Sequence, residues 1–193
     1  MGKRFDGIDD TLAAWIGAQR LFFVATAPLS AGGHVNCSPK GGDCLRVLGS
    51  REVAWVDGAG SGIETVAHLR ENGRIVLMFC AFEGPPRIVR LHGRGEAIDP
   101  TQPAFEALLG RFPPQRAVRS IVRVDVARVS DSCGYGVPFY DFRAERRDSA
   151  HYVAKAGDAT LHRYLVDHNQ ASIDGLPGLP AAALAAARFR RDP

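Results

Sequence analysis

The chain is short of most features that would tie it to a special environment. It holds 4 Cys, 2 Met and 2 Trp among 193 residues. The cysteines, at 37, 44, 80 and 133, form no C-x-x-C pair, which removes the usual zinc and dithiol patterns. Cys37 and Cys80 fall inside apolar segments and read as small reduced core residues. No apolar run approaches the roughly 18 residues that span a bilayer, and the opening MGKRFDGIDD lacks the basic and apolar parts of a leader. The expectation is a cytoplasmic protein with no membrane contact, so the sequon-like Asn36-Cys37-Ser38 carries little weight.

Charge of one sign is also scarce. Lys plus Arg is 24 against 21 Asp plus Glu, and a dispersed excess of +3 is too small for a nucleic-acid footprint. The six histidines, at 34, 68, 92, 151, 162 and 168, make no H-x-x-x-H pair, and no G-x-S-x-G occurs. No metal site is expected and no catalytic side chain is assigned. His68 reads as a helix-surface or core histidine.

What the chain does have is apolar content of 46%, enough for one compact core, and a succession of β-branched and aromatic runs. LFFVATA, HVNCS, CLRVL, EVAWVD, RIVLMFCAF and RIVRLHGRGEAI are each bounded by turn residues and read as strands. Their short connections favour antiparallel neighbours. In AVRSIVRVDVARV, Val118, Ser120, Val122, Val124 and Val126 share one face, while Arg119, Arg123 and Asp125 share a wet one. Six or seven such strands suggest a closed barrel.

Helical patterns are few. DDTLAAWIGAQR puts Leu12, Trp15, Ile16 and Gln19 on one stripe, with Asp9 or Asp10 as cap. TQPAFEALLGRF offers Thr101 as cap and Phe105, Leu108 and Leu109 as stripe. In DGAGSGIETVAHLRENG, Ser61 and Glu64 have capping-box spacing, Ile63, Val66 and Ala67 begin a buried face, and Gly73 stops the helix. A helix beginning at Ser61 would turn unpaired N–H groups and partial positive charge toward a loop whose Gly60 and Gly62 admit a close-lying anion. The segment lacks the third glycine of G-x-G-x-x-G and the Lys-Ser or Lys-Thr of a Walker loop. Lys40, ending the strand HVNCSPK, is the candidate cation beside this corner.

Taken in order, HVNCSPKG, VAWVDGAGSGIETVAHLRENGRIVLMFCAFEGPPRIVRLHGRGEAI and SCGYGVPFYDF resemble the pyridoxamine 5′-phosphate oxidase-related family of FMN-binding split barrels, over roughly residues 10–145. The resemblance implies a mainly β fold, a six-stranded antiparallel split barrel with peripheral helices, and a homodimer with FMN at the subunit interface. The chain is read as a split-barrel domain over 1–145, with a C-terminal helical extension, 146–193, packed on the same domain. The cofactor residues that the resemblance implies are Asn36, Cys37, Ser38, Pro39 and Lys40, with Ser61, Gly62 and Thr65 at the helix mouth.

The chain departs from the oxidases proper. Val35 or Asn36 stands where their lysine strand begins with arginine, and Glu64-Thr65 stands where they carry Arg-Lys. Arg87 or Arg90 could restore the lost charge, and Glu64 must fold away from a phosphate. The C-terminal grip on pyridoxamine phosphate does not occur in HRYLVDHNQASIDGLPGLP, so the vitamin B6 reaction is not expected. Cys133 and Tyr135 could line the substrate side, although a structural loop is the simpler reading of SCGYGVP. The expected function is a flavin-dependent oxidoreductase of unknown small-molecule substrate. Its alternatives are a deazaflavin-dependent reductase and a non-catalytic protein that holds flavin, haem or a B6 phosphate.

Overall fold

The computed structural model describes residues 2–115, 117–187 and 189. Eight strands form one antiparallel sheet: β1 (Arg4–Phe5), β2 (Leu21–Thr26), β3 (Asn36–Gly41), β4 (Leu45–Gly49), β5 (Glu52–Gly58), β6 (Arg74–Cys80), β7 (Ile88–Ile98) and β8 (Val118–Ser132). The order is β3-β2-β6-β7-β8-β5-β4, with β1 added to β8. The strand segments read from the sequence are β2 to β8, and the count exceeds the six that the resemblance implies because β8 and the two-residue β1 join β2 to β7.

Chain connectivity forces this sheet to curl. Strands β3 and β4 stand at opposite ends of the hydrogen-bonded path, yet residues 42–44 alone join them. Laid flat, six strand spacings would part them by roughly 29 Å. Four virtual bonds from Gly41 to Leu45 reach at most roughly 14 Å. The edges must therefore come round to face one another without pairing, which leaves a seam: a split barrel rather than a closed one.

The barrel interior is filled by alternate residues of the strands, among them Phe22, Val24, Trp55, Leu77, Phe79, Leu91, Val122 and Val124. Phe22 stacks on Phe79 at 5.5 Å and meets Trp55 edge-on at 6.2 Å. Helix α1 (Asp10–Gly17) contributes Leu12 and Ile16 to this core. It starts where expected, because the Asp9 carboxylate accepts the Leu12 N–H at 2.7 Å. Helix α3 (Ala104–Leu109) packs Phe105 against the other face of β5 and β8. Thr101 does not cap it; the Thr101 N–H and hydroxyl both bond Asp99 instead.

Two backbone features depend on glycine. At the β7–β8 bulge a side chain on Gly93 would stand 2.1 Å from the Asp125 carbonyl oxygen, so the strands can approach there only without one. Gly73, at φ 70°, ends helix α2 (Glu64–Asn72) in the left-handed conformation, as its sequence predicts.

Beyond the barrel lie α4 (Asp148–Lys155), α5 (Asp158–Asn169) and α6 (Ala181–Ala186). Leu165 of α5 and Ala183 and Leu184 of α6 share a separate cluster with Ile63 and Val66 at the start of α2. The C-terminal segment is thus built onto the corner helix. No helix among the described residues is long and apolar enough to cross a membrane.

Candidate functional site

Strand β3 alternates as a one-sided edge strand must: Asn36, Ser38 and Lys40 are half-buried, while Cys37 and Pro39 are exposed. Cys37 is therefore not the core residue its apolar neighbours suggested, whereas Cys80 is buried as expected. The inward face of β3 looks across the seam at the end of β5, where a β-bulge between Asp57 and Gly58 breaks the register with β8.

Asp57 lies at the floor of this seam, 2% exposed. Its carboxylate accepts from Arg119 Nε at 2.7 Å and from Lys40 Nζ at 3.1 Å. Burial pushes the Asp57 carboxyl up, but the charges of Arg119 and then Lys40 outweigh it and hold the group below the ordinary carboxylate range. Arg119, expected on a wet strand face, is 5% exposed. The outer face of β8 is covered at this end, where Val118 and Ile121 pack with Phe105 and Phe112.

These groups border a cleft of about 520 Å³. It brings together Asn36, Ser38, Pro39 and Lys40 from β3 with Gly62 and Thr65 from the corner, six of the nine sequence-derived cofactor residues. Gly58, Gly60, Asp57, Cys44, Gln115 and Arg119 complete much of the wall. Cys37, exposed Ser61 and Arg87 are not among the lining residues. Arg87 instead bonds Asp131 at 3.2 Å and lies over the rings of Trp15 and Phe5, and Arg90 bonds Ser132 at 3.1 Å. The second cation at the seam is Arg119. The sequence signal for it was the acidic residue closing the apolar run VAWVD, since a carboxylate there needs a buried partner.

The corner itself differs from a capping box. Helix α2 starts at Glu64, its N-cap is Ile63, and no side chain caps it. Glu64 Oε1 accepts instead from the Ile173 N–H at 3.3 Å, drawn to the C-terminal loop. That loop is tied down a second time where Asp174 accepts from the His34 backbone N–H at 2.8 Å. The first-turn N–H groups of α2 are thus left without side-chain partners.

Nothing in the backbone explains the glycines of this corner. Gly58, Gly60 and Gly62 are absent from the residues with positive φ. A Cβ on Gly60 would come no closer than 3.9 Å to any other group, and at Gly62 it would meet only the Glu64 carboxylate. All three line the cleft, where bare backbone can lie against a ligand, although the space beside Gly62 is taken by the Glu64 carboxylate.

Two further groups limit the chemistry. Burial pushes the Cys44 thiol up to about 11, which favours its protonated form at neutral pH. His68 is fully buried, its Nδ1 is 2.9 Å from Thr26 Oγ1, and burial lowers its pKa. Asn36 Nδ2 reaches both Thr26 Oγ1, at 3.2 Å, and Thr65 Oγ1, at 3.0 Å, so a polar chain runs from this histidine to the cleft. Cys133 and Tyr135 are exposed and lie outside the cleft lining. No group of three or more His, Cys, Asp or Glu among the described residues could hold a metal.

The sequence model of the pyridoxamine 5′-phosphate oxidase family matches residues 8–133, which is the barrel with its corner helix. The chain belongs to that family. Pyridoxamine 5′-phosphate oxidase family protein ustO of Aspergillus flavus is 37% identical over 197 residues, covering 92% of this chain and 78% of the relative. Among solved structures, a crystal structure of a HupZ variant from Group A Streptococcus superposes with a TM-score of 0.51 at 22% identity. It covers 65% of this chain and 99% of that one, a likeness of fold alone.

Proposed function

We propose that the protein is an FMN-dependent oxidoreductase acting on a small molecule other than pyridoxamine phosphate. The observation that carries this reading is the bare glycine corner facing Lys40 and Arg119 across one cleft, in a member of the pyridoxamine 5′-phosphate oxidase family. The residues fit the group. The N–H donors at the mouth of α2, with Lys40 and Thr65, would hold a phosphate, and Asn36 and Ser38 would meet the rest of the cofactor along β3. A bound flavin supplies the redox chemistry itself, so the chain has to hold it, orient it and shape access to it. The neutral Cys44 thiol and buried His68 accord with that division of labour.

A second hollow of about 880 Å³ shares Gly41, Cys44, Gly58, Ala59 and Gln115 with the cleft, which gives a substrate room beside the cofactor. Val35, Tyr135 and Phe139 are 74%, 82% and 77% exposed, and such apolar surface supports a homodimer. Four unpaired thiols favour a reducing, cytoplasmic setting.

The test is the visible spectrum of the purified protein with FMN and deazaflavin titrations in parallel. Flavin absorbance and saturable FMN binding are expected. Failure to bind FMN overturns the proposal, and binding of the deazaflavin alone replaces it with a deazaflavin-dependent reductase. A bound flavin that no reductant or oxidant of physiological class turns over marks a carrier instead.

A further inference from the structure

Arg119 serves the protein with two of its three side-chain nitrogens. Nε donates to Asp57 Oδ2 at 2.7 Å, while Nη1 donates to Asn169 Oδ1 at 2.9 Å and to the Gly60 oxygen at 3.2 Å. Those bonds use three of the five N–H groups of a guanidinium, and the two on Nη2 have no partner among the described residues. An arginine that only neutralised Asp57 would close a two-pronged grip on its carboxylate. Here the second oxygen, Oδ1, is taken by Lys40 at 3.1 Å.

Nη2 is nevertheless not sealed in. Among the described residues the buried side-chain nitrogens and oxygens without a partner are Trp55 Nε1 and His68 Nε2, so Nη2 keeps surface of its own although the Arg119 side chain is only 6% exposed. The surface that Arg119 borders is the wall of the cleft, which it lines together with Lys40, Gly60 and Thr65. Acceptors from β5, the glycine corner and α5 fix the guanidinium plane, and a rigid fork held at three points has its remaining N–H directions set before a ligand arrives. Asn169, completely buried, is itself aligned: a guanidinium offers no acceptor, so the amide oxygen faces it and the NH2 donates to the Gly60 oxygen at 2.9 Å.

We propose that Arg119 is a specificity-determining residue whose Nη2 donates to the oxyanion end of the ligand, so that β8 supplies the donor missing from the helix corner and the cleft selects phosphate-bearing over dephosphorylated ligands. This rests on the flavin reading of the cleft. Because Asp57 offsets the guanidinium charge, the contribution is directional, and a lysine cannot reproduce it while also meeting Asp57.

Arg119→Lys keeps a cation for Asp57 and loses the fork. FMN and riboflavin, which differ by the phosphate, are titrated into this variant and the unaltered protein. The expected result is a preference for FMN that falls about tenfold to a hundredfold in the variant, the loss of one charge-assisted hydrogen bond. No preference in the unaltered protein, an unchanged preference in the variant, or equal losses for the two ligands would overturn it. Should the variant fail to fold, the Arg119 Nη2 resonance of the unaltered protein decides: a shift with FMN and none with riboflavin upholds the assignment, and any other pattern removes it. If the unaltered protein binds neither flavin, the functional reading fails, and the same resonance is followed with inorganic phosphate. A saturable shift then upholds Arg119 as the oxyanion donor; no shift removes it.

Discussion

Lys40 Nζ stands 3.1 Å from Asp57 Oδ1, which joins the strand at one edge of the sheet to the strand next to the opposite edge. No backbone ladder pairs β3 with β4 or β5, so this ion pair spans the seam. Lys40 is also the less buried of the two cations on Asp57, with 22% of its side chain exposed against 6% for Arg119, and can turn toward a ligand while Arg119 keeps the carboxylate paired. Lys40→Ala is expected to weaken FMN by about 1.5 to 3 kcal/mol, the scale of a hydrogen bond to a charged group. Isothermal titration would read it, and unchanged affinity would remove Lys40 from the site.

Acid should destabilise the protein in two windows of the same sign. Burial lowers His68 from 6.5, so the native state binds fewer protons than the unfolded chain. Its contribution is whole above about pH 6.5 and declines as the pH falls toward the native value. His92, lowered by burial and then by Arg128 and Arg90, adds to that slope. Asp57 lies below 3.8 in the native state, and its contribution, present above that value, is lost on further acidification. Asp43 and Asp174, lowered chiefly by hydrogen bonds to Arg46 and His34, share this lower window. Urea unfolding from pH 8 to 3 would show both declines. His68→Gln should flatten the upper one and leave the lower; an unaltered upper slope would refute the assignment.

Gly60 separates the demands of fold and ligand. A methyl group there would lie 3.9 Å from the Gly58 oxygen and 4.0 Å from Arg119 Nη1, ordinary contact distances. Gly60→Ala should therefore leave thermal stability unchanged or raise it by up to about 1 kcal/mol, through the less flexible unfolded chain. The same methyl group should narrow the cradle and lower FMN affinity. Loss of stability without loss of affinity would show the glycine serving the backbone instead.

Strands β2 to β8 were legible because each carries a period-two or continuous apolar run between turn residues, a signal that local chemistry imposes. The Lys40 side of the cleft was legible by resemblance, and its grouping with Gly62 and Thr65 appears in the structure. Arg119 was not, because its alternation with Arg123 and Asp125 describes a wet face and nothing nearby in sequence reveals the segments that cover it. Asn169 was invisible for the same reason, its partners Gly60 and Arg119 lying far away along the chain. The capping box misled because Ser61 and Glu64 have the right spacing, but Glu64 finds the Ile173 N–H in a loop brought there by long-range packing.

That displaced glutamate leads to a sharper test of the corner. Lys40 and Arg119 are balanced by Asp57 and Glu64, so the cleft has no formal surplus of positive charge, and the Glu64 carboxylate lies where a side chain on Gly62 would be. An entering phosphate must either displace this group or bear its repulsion, about 1 kcal/mol for unit charges roughly 4 Å apart at the dielectric of water. Glu64→Gln keeps the shape and an acceptor for Ile173 while removing the charge. FMN affinity should rise by about that amount, whereas riboflavin, lacking the phosphate, should bind as before. The gain should shrink in high salt, where screening weakens the original repulsion. If the variant binds both ligands equally better, Glu64 acts by blocking the entrance and its charge is not what opposes the anion.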